Sequence, residues 1–271
     1  MIAMTKLSVI LQAMQTLSHR AEAKSRAIVK GLVPFVERAL PWWIVIWSLL
    51  AVTKMATSLT PIHSFGEFAS LFLPYALIAA APIAALRIGN GIVARGWHLH
   101  RPRMSLAFVG RWQPLDPAAA RAHPLYGPHG FMASLMVGML LNVVLRSGEF
   151  LMAVPAMSDL APGWGRTLFL AMAFECMAMN FLYIACFVMA LRTAPLFPRL
   201  LALTWGIDMA LQLGVAKVVS AQAALPLQVA DALSELLQGN ITKVMISVIV
   251  WMPYLLLSPR VNLTYRHRLA A

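Results

Sequence analysis

Arg146 stands in an apolar stretch, where a guanidinium has no water to meet. Asn142, Arg146 and Glu149 follow one another at i, i+4 and i+7, which puts all three on one face of a helix. Two later apolar stretches carry Glu175 with Asn180, and Asp208 with Gln212, the second pair again four residues apart. An ionisable group in hydrocarbon is costly, so it marks either a site or a neutralising pair. Acids converging on Arg146 could line a polar cavity that binds a solute, a proton or a peptide. The same residues could instead serve as glue between helices, because removing one partner of a buried pair strands a charge.

Other chemistries find little support. The seven histidines lie outside the apolar cores or at their margins, so no two can face each other as axial haem ligands. His98 and His100, with His123, form a weak metal-binding spacing that lacks the three or four convergent donors a site needs. No nucleophile elbow, zincin motif, P-loop or dinucleotide fingerprint occurs. Asp116 and His123 are the nearest approach to an acid–base pair at headgroup level. Cys176 and Cys186 share one apolar stretch and imply no disulfide framework. No cofactor, metal or catalytic residue is expected, and enzymatic activity is not indicated.

The elements that must position the charged residues are set by composition. The chain has 271 residues, 60 % hydrophobic and 12 % charged, with a formal net charge of +12. Soluble domains are usually near 45–50 % apolar and about 25 % charged. The excess identifies an integral membrane protein, and nucleic acid is excluded as the reason for the positive charge. A helix needs roughly 20 mainly apolar residues to cross a core about 30 Å thick. Six stretches approach that length, over 41–60, 66–86, 130–157, 167–191, 198–221 and 241–257. The expectation is an all-α polytopic protein of about six transmembrane helices, with both termini cytoplasmic.

Sorting the basic residues by loop gives the orientation. The segment before the first span, the loop between spans two and three, the four-to-five loop and the tail together hold 17 of the 22 Lys and Arg. The opposite loops hold only Arg166, Lys217 and Lys243, and all three lie near helix ends. By the positive-inside rule the basic side faces the cytoplasm, here of a bacterial inner membrane. The organisation expected is a basic amphipathic cytoplasmic or interfacial segment over 1–40 and a two-helix hairpin over 41–86. A basic Pro-rich loop over 87–129, a four-helix bundle over 130–258 and a basic tail over 259–271 follow. The first segment carries Ile2, Leu7, Ile10, Leu11, Met14 and Leu17 at nearly helical spacing ahead of Lys24, Arg26 and Lys30, as an interfacial helix on anionic lipid would.

The last span ends with Trp251, Pro253 and Tyr254, then Ser258, Arg260, Val261 and Thr264. This pattern resembles the closing motif of a family of small bacterial membrane proteins known as domain of unknown function 2569. There a Trp-x-Pro-Tyr on the final helix is followed by Ser-x-Arg-Val and a Thr. Gly130 and the pair Phe197-Pro198 resemble further landmarks, and the likeness covers about residues 126–268. It implies a four-helix architecture and no activity. In physical terms, Pro253 would kink the helix where a neighbour satisfies the freed carbonyl. Trp251 and Tyr254 would lie deep, while Ser258 and Arg260 would mark the exit, with Arg260 within reach of lipid phosphate.

Three functions are compatible with these residues. The first is a non-enzymatic accessory, binding or protective subunit acting through a membrane partner or a second copy of itself. The second is a small-solute or proton-coupled transporter using the intramembrane polar cluster. The third is a lipid-modifying membrane enzyme.

Overall fold

The computed structural model describes residues 2–96 and 110–271, with side chains from residue 20 onwards in the first segment. The chain is an all-α polytopic membrane protein, and six of its helices are long and apolar enough to cross a membrane. These are α1 (Ile2–Ala56), α2 (Phe65–Ala94), α4 (Phe131–Ala153), α5 (Gly163–Leu191), α6 (Phe197–Ser220) and α7 (Leu227–Leu257). Two short helices, α3 (Pro117–Ala122) and α8 (Pro259–Arg266), and a two-stranded antiparallel pair, β1 (Trp112–Pro114) with β2 (Arg268–Ala270), complete the described residues. An even number of crossings puts both ends of the chain on one side, the end of the bundle that gathers the basic residues.

Helix α5 is the axis of the bundle. It packs against α2, α4 and α6, while α1 lies on α2 and α4, and α7 lies on α6. Close approach of α2 to α5 depends on Gly89, where a Cβ would come within 2.9 Å of Val188 Cγ1. Two apolar cores result. One, towards the basic end, includes Met132, Met136, Phe187, Phe197, Leu201 and Tyr265. The other, towards the opposite end, includes Trp47, Leu71, Tyr75, Phe150, Phe169 and Val219.

Several boundaries differ from those read in the sequence. Residues 20–40 run without a break into the first span as one helix, although Pro34 and Pro41 each remove an amide donor. The side chains of the amphipathic stripe from Ile2 to Leu17 lie outside the described residues. Helix α7 begins at Leu227 rather than near 241, because Asp231 and Glu235 lower the local hydropathy without interrupting backbone hydrogen bonding. Helix α2 runs past 86 to Ala94 and starts with a capping box. Ser64 Oγ accepts from Glu67 N at 3.2 Å, and the Glu67 carboxylate accepts from Ser64 N at 3.3 Å and His63 N at 2.6 Å. The acid at the edge of span two is therefore a helix cap. On α1, Trp47 Nε1 donates to Tyr75 O at 2.8 Å and Trp43 Nε1 to Ala79 O at 3.0 Å, which attaches the helix to the proline-containing α2.

Residues 259–271 fold back beneath the bundle. Tyr265 OH donates to Ala190 O at 2.9 Å, and Thr264 Oγ1 accepts from Gly127 N at 3.0 Å. Asn262 Nδ2 reaches Leu256 O at 2.9 Å and Ser258 O at 3.0 Å, while Arg266 Nη1 reaches Leu255 O at 3.0 Å. The last turn of α7 would otherwise end in unpaired carbonyls. Burial brings the Arg266 guanidinium down to about 10, with Arg268 and Arg199 adding to the effect.

Candidate functional site

The two apolar cores meet at a polar layer. Arg146 enters it from α4, Glu175 and Tyr183 from α5, and Asp208 and Gln212 from α6. Helical spacing aligns each pair: Asp208 and Gln212 are one turn apart, and Glu175 and Tyr183 lie two turns apart on the same side. Arg146 Nη1 donates to Glu175 Oε1, and Nη2 donates to Asp208 Oδ2 at 2.7 Å. Gln212 Nε2 bridges the two acids, at 2.7 Å from Glu175 Oε1 and 3.3 Å from Asp208 Oδ1. Tyr183 OH donates to Asp208 Oδ2 at 3.1 Å. The side chains are 10 % exposed for Arg146, 3 % for Glu175 and 0 % for Asp208, so they are removed from bulk water. One guanidinium faces two carboxyl groups, so the network holds one acidic group more than its base can match.

A second polar group stands nearer the surface. Glu149, expected beside Arg146, pairs with Lys243 of α7 instead. The two α4 positions are three residues apart, so their side chains diverge by about 60° around the helix, Arg146 towards α5 and α6 and Glu149 towards α7. Between the groups lies a cavity of about 80 Å³, whose lining includes Asn142, Arg146, Glu149, Tyr183, Asn240 and Lys243. The α4–α7 seam is closed at one end by the Glu149–Lys243 pair. At the basic end it is closed by Phe131, whose ring lies 4.5 Å from that of Trp251 and 5.1 Å from that of Tyr254.

Four buried atoms of this region have no hydrogen-bond partner among the described residues: Asn142 Oδ1, Arg146 Nε, Asn180 Oδ1 and Gln212 Oε1. Buried polar atoms are nearly always paired, and several orphans together mark a place for water or a ligand. Asn142 and Arg146 both line the cavity. At roughly 30 Å³ of liquid per water molecule, it suits a few waters or a very small solute. The arrangement offers charge, donors and acceptors, and no exposed nucleophile. Cys176 and Cys186 are both buried.

Sequence spacing brought Asn142, Arg146, Glu149, Glu175, Asp208 and Gln212 to notice, and the fold places all six around this layer. It did not find Tyr183, Asn240 or Lys243. Tyr183 could have been found by its register with Glu175. Lys243 could not, since it reads as a charge at a helix end. Asn180 Nδ2 donates to Ser147 Oγ at 2.8 Å, a contact between α5 and α4 beside the network.

The C-terminal motif lies elsewhere. Trp251 and Tyr254 form the aromatic closure with Phe131, α7 continues through Pro253 to Leu257, and Ser258 joins α7 to α8. Arg260, expected to be free for lipid phosphate, is engaged by protein: Nη2 reaches Glu22 Oε1 at 3.1 Å and Nη1 reaches Leu125 O at 3.3 Å. Asp116 Oδ2 caps α3 by accepting from Ala118 N at 2.9 Å, and His123 Nδ1 accepts from Leu125 N at 3.1 Å, so this pair is occupied by local structure. His98 and His100 lie outside the described residues. Among those described, no three His, Cys, Asp or Glu side chains gather as a metal site. A scan of protein-family models matched none, and searches of curated proteins and of solved structures found no match.

Proposed function

We propose that this multi-pass membrane protein is a proton-coupled carrier of a small polar solute in a bacterial inner membrane, with its basic end in the cytoplasm. The observation that carries the reading is a buried guanidinium shared by two carboxylates, beside a cavity with unpaired polar atoms. A second acid beyond the one that matches the guanidinium can hold a proton or the positive part of a solute, whereas neutral glue would need only one acid per base. The seventeen basic residues that the sequence assigns to alternate segments support the orientation. The resemblance to domain of unknown function 2569 over about residues 126–268 belongs to the same proposal.

The test uses purified protein in proteoliposomes holding a pH-sensitive dye. A membrane potential is imposed alone and then with a panel of small amino acids and amines. Wild-type protein should acidify or alkalinise the lumen with at least one solute. Glu175→Gln and Asp208→Asn, reconstituted at equal density, should lose that signal at least tenfold. Unchanged signals in both variants overturn the carrier reading. A dead transport assay with a stoichiometric co-purifying membrane protein would establish the accessory-subunit reading instead.

A further inference from the structure

A second cavity, independent of the ion network, opens sideways at the basic end between α1, α4 and α7. It is about 900 Å³ in volume. Its lower part is apolar, lined by Ile28 of α1, Val137, Gly138 and Leu141 of α4, and Tyr254 of α7. Its upper part is charged and polar, with Glu22, Lys24, Ser25, Ser258 and Arg260. From Gly130 to Leu141 the groove follows α4 for about 16 Å at 1.5 Å per residue. That is close to one leaflet, half of a hydrocarbon core of about 30 Å.

The upper part carries surplus positive charge. Glu22 Oε1 is shared by Arg26 and Arg260, each at 3.1 Å, with His129 Nε2 at 3.3 Å. Lys24 is exposed and has no acidic partner among the described residues. Two guanidiniums share the Glu22 carboxylate, and Lys24 lines the same end of the groove, so the head of the groove holds more cations than anions and favours an anion. Its apolar part is shaped by absent side chains: a Cβ on Gly138 would meet no atom within 4 Å.

We propose that this groove is a binding site for an anionic phospholipid. One acyl chain lies along the Ser134–Gly138–Leu141 face of α4, and the phosphate sits by Lys24 at the edge of the Arg260 cluster. Polar head over apolar trough matches a lipid better than a peptide or a soluble metabolite. The surface charge of an anionic leaflet adds to the attraction, at about 1 kcal/mol per basic residue.

The experiment is native mass spectrometry of the full-length protein after incubation with vesicles of equal phosphatidylglycerol and phosphatidylcholine. Wild type should retain phosphatidylglycerol at least tenfold over phosphatidylcholine. Gly138→Trp, which fills the trough, should lower retention at least tenfold. Gly206→Trp, at an exposed position on α6 that is equally open, should not. Lys24→Gln should keep the lipid but lose most of the headgroup preference. If Gly138→Trp fails to fold, Ser134→Leu serves the same purpose. Equal retention of the two lipids by wild type overturns the proposal. So does undiminished retention in the trough variants, or displacement of the lipid by millimolar inorganic phosphate alone. The readout involves no transport, so it stands or falls separately from the carrier reading.

Discussion

Arg146 holds two carboxylates, and the three charges cannot be removed one at a time at equal cost. Losing the guanidinium leaves two buried anions side by side, whereas neutralising one acid leaves a matched pair. Arg146→Met should therefore cost about 3–5 kcal/mol, the range for breaking a buried ion pair. Asp208→Asn should cost far less. Combining Arg146→Met with Glu175→Gln and Asp208→Asn should recover most of the folded yield, measured by unfolding in mild detergent. If the triple variant is no more stable than Arg146→Met, stranded charge is not what destabilises it. At the basic end, His129 gives a pH signature. Burial, then the Arg260 and Arg26 guanidiniums, hold its imidazole below the usual value, while the Glu22 carboxylate opposes them. Folding thus disfavours the protonated ring. Its contribution is complete above the ordinary imidazole value and is lost as pH falls from there through the depressed one. Thermal melts should show a Tm that drops between pH 7 and pH 5, and His129→Gln should flatten that drop.

At the scale of elements, the close contact between α2 and α5 is the feature most exposed to a single methyl group. Gly89→Ala would press a Cβ onto Val188, which sits at 2.9 Å from the built position. Overpacking of this kind costs about 1–3 kcal/mol. Val188→Ala should restore most of the loss, and a double-mutant cycle of detergent unfolding reads the coupling. Additive effects would show that α2 can shift without resistance. Element boundaries also show how far the chain can be read directly. Helix α5 is plain from hydropathy, because apolar residues dominate every turn despite Glu175 and Asn180. The start of α7 is not, since Asp231 and Glu235 are polar yet helix-compatible. Nor is the return of α8 beneath the bundle, where Tyr265 and Thr264 find partners at Ala190 and Gly127, distant in sequence.

At the scale of the molecule, charge is polarised along the bundle axis. Among the described residues basic side chains gather where both termini lie, while the network inside holds two acids to one base. The positive-inside rule then predicts that a fluorescent protein fused after Ala271 is bright in intact cells. It also predicts that Leu160→Cys, in the loop between α4 and α5, reacts with a membrane-impermeant maleimide added from outside. Cys176 and Cys186 are buried and should not compete for the reagent. A dark fusion together with an unlabelled Leu160→Cys would reverse the orientation.

The number of spans, the basic end and the polar positions within apolar stretches all follow from the sequence alone. Hydropathy and charge add up locally along a chain, and a helix repeat of 3.6 assigns residues to faces. Which charge meets which was decided only by the tertiary structure. Arg146 and Glu149 share a helix face, yet one turns to Glu175 and Asp208 and the other to Lys243. That choice depends on the rotation of α4 and on which helices flank it. Both are set by packing across the whole bundle. The lateral groove has the same origin: α1, α4 and α7 leave space where small residues at 134 and 138 do not fill it.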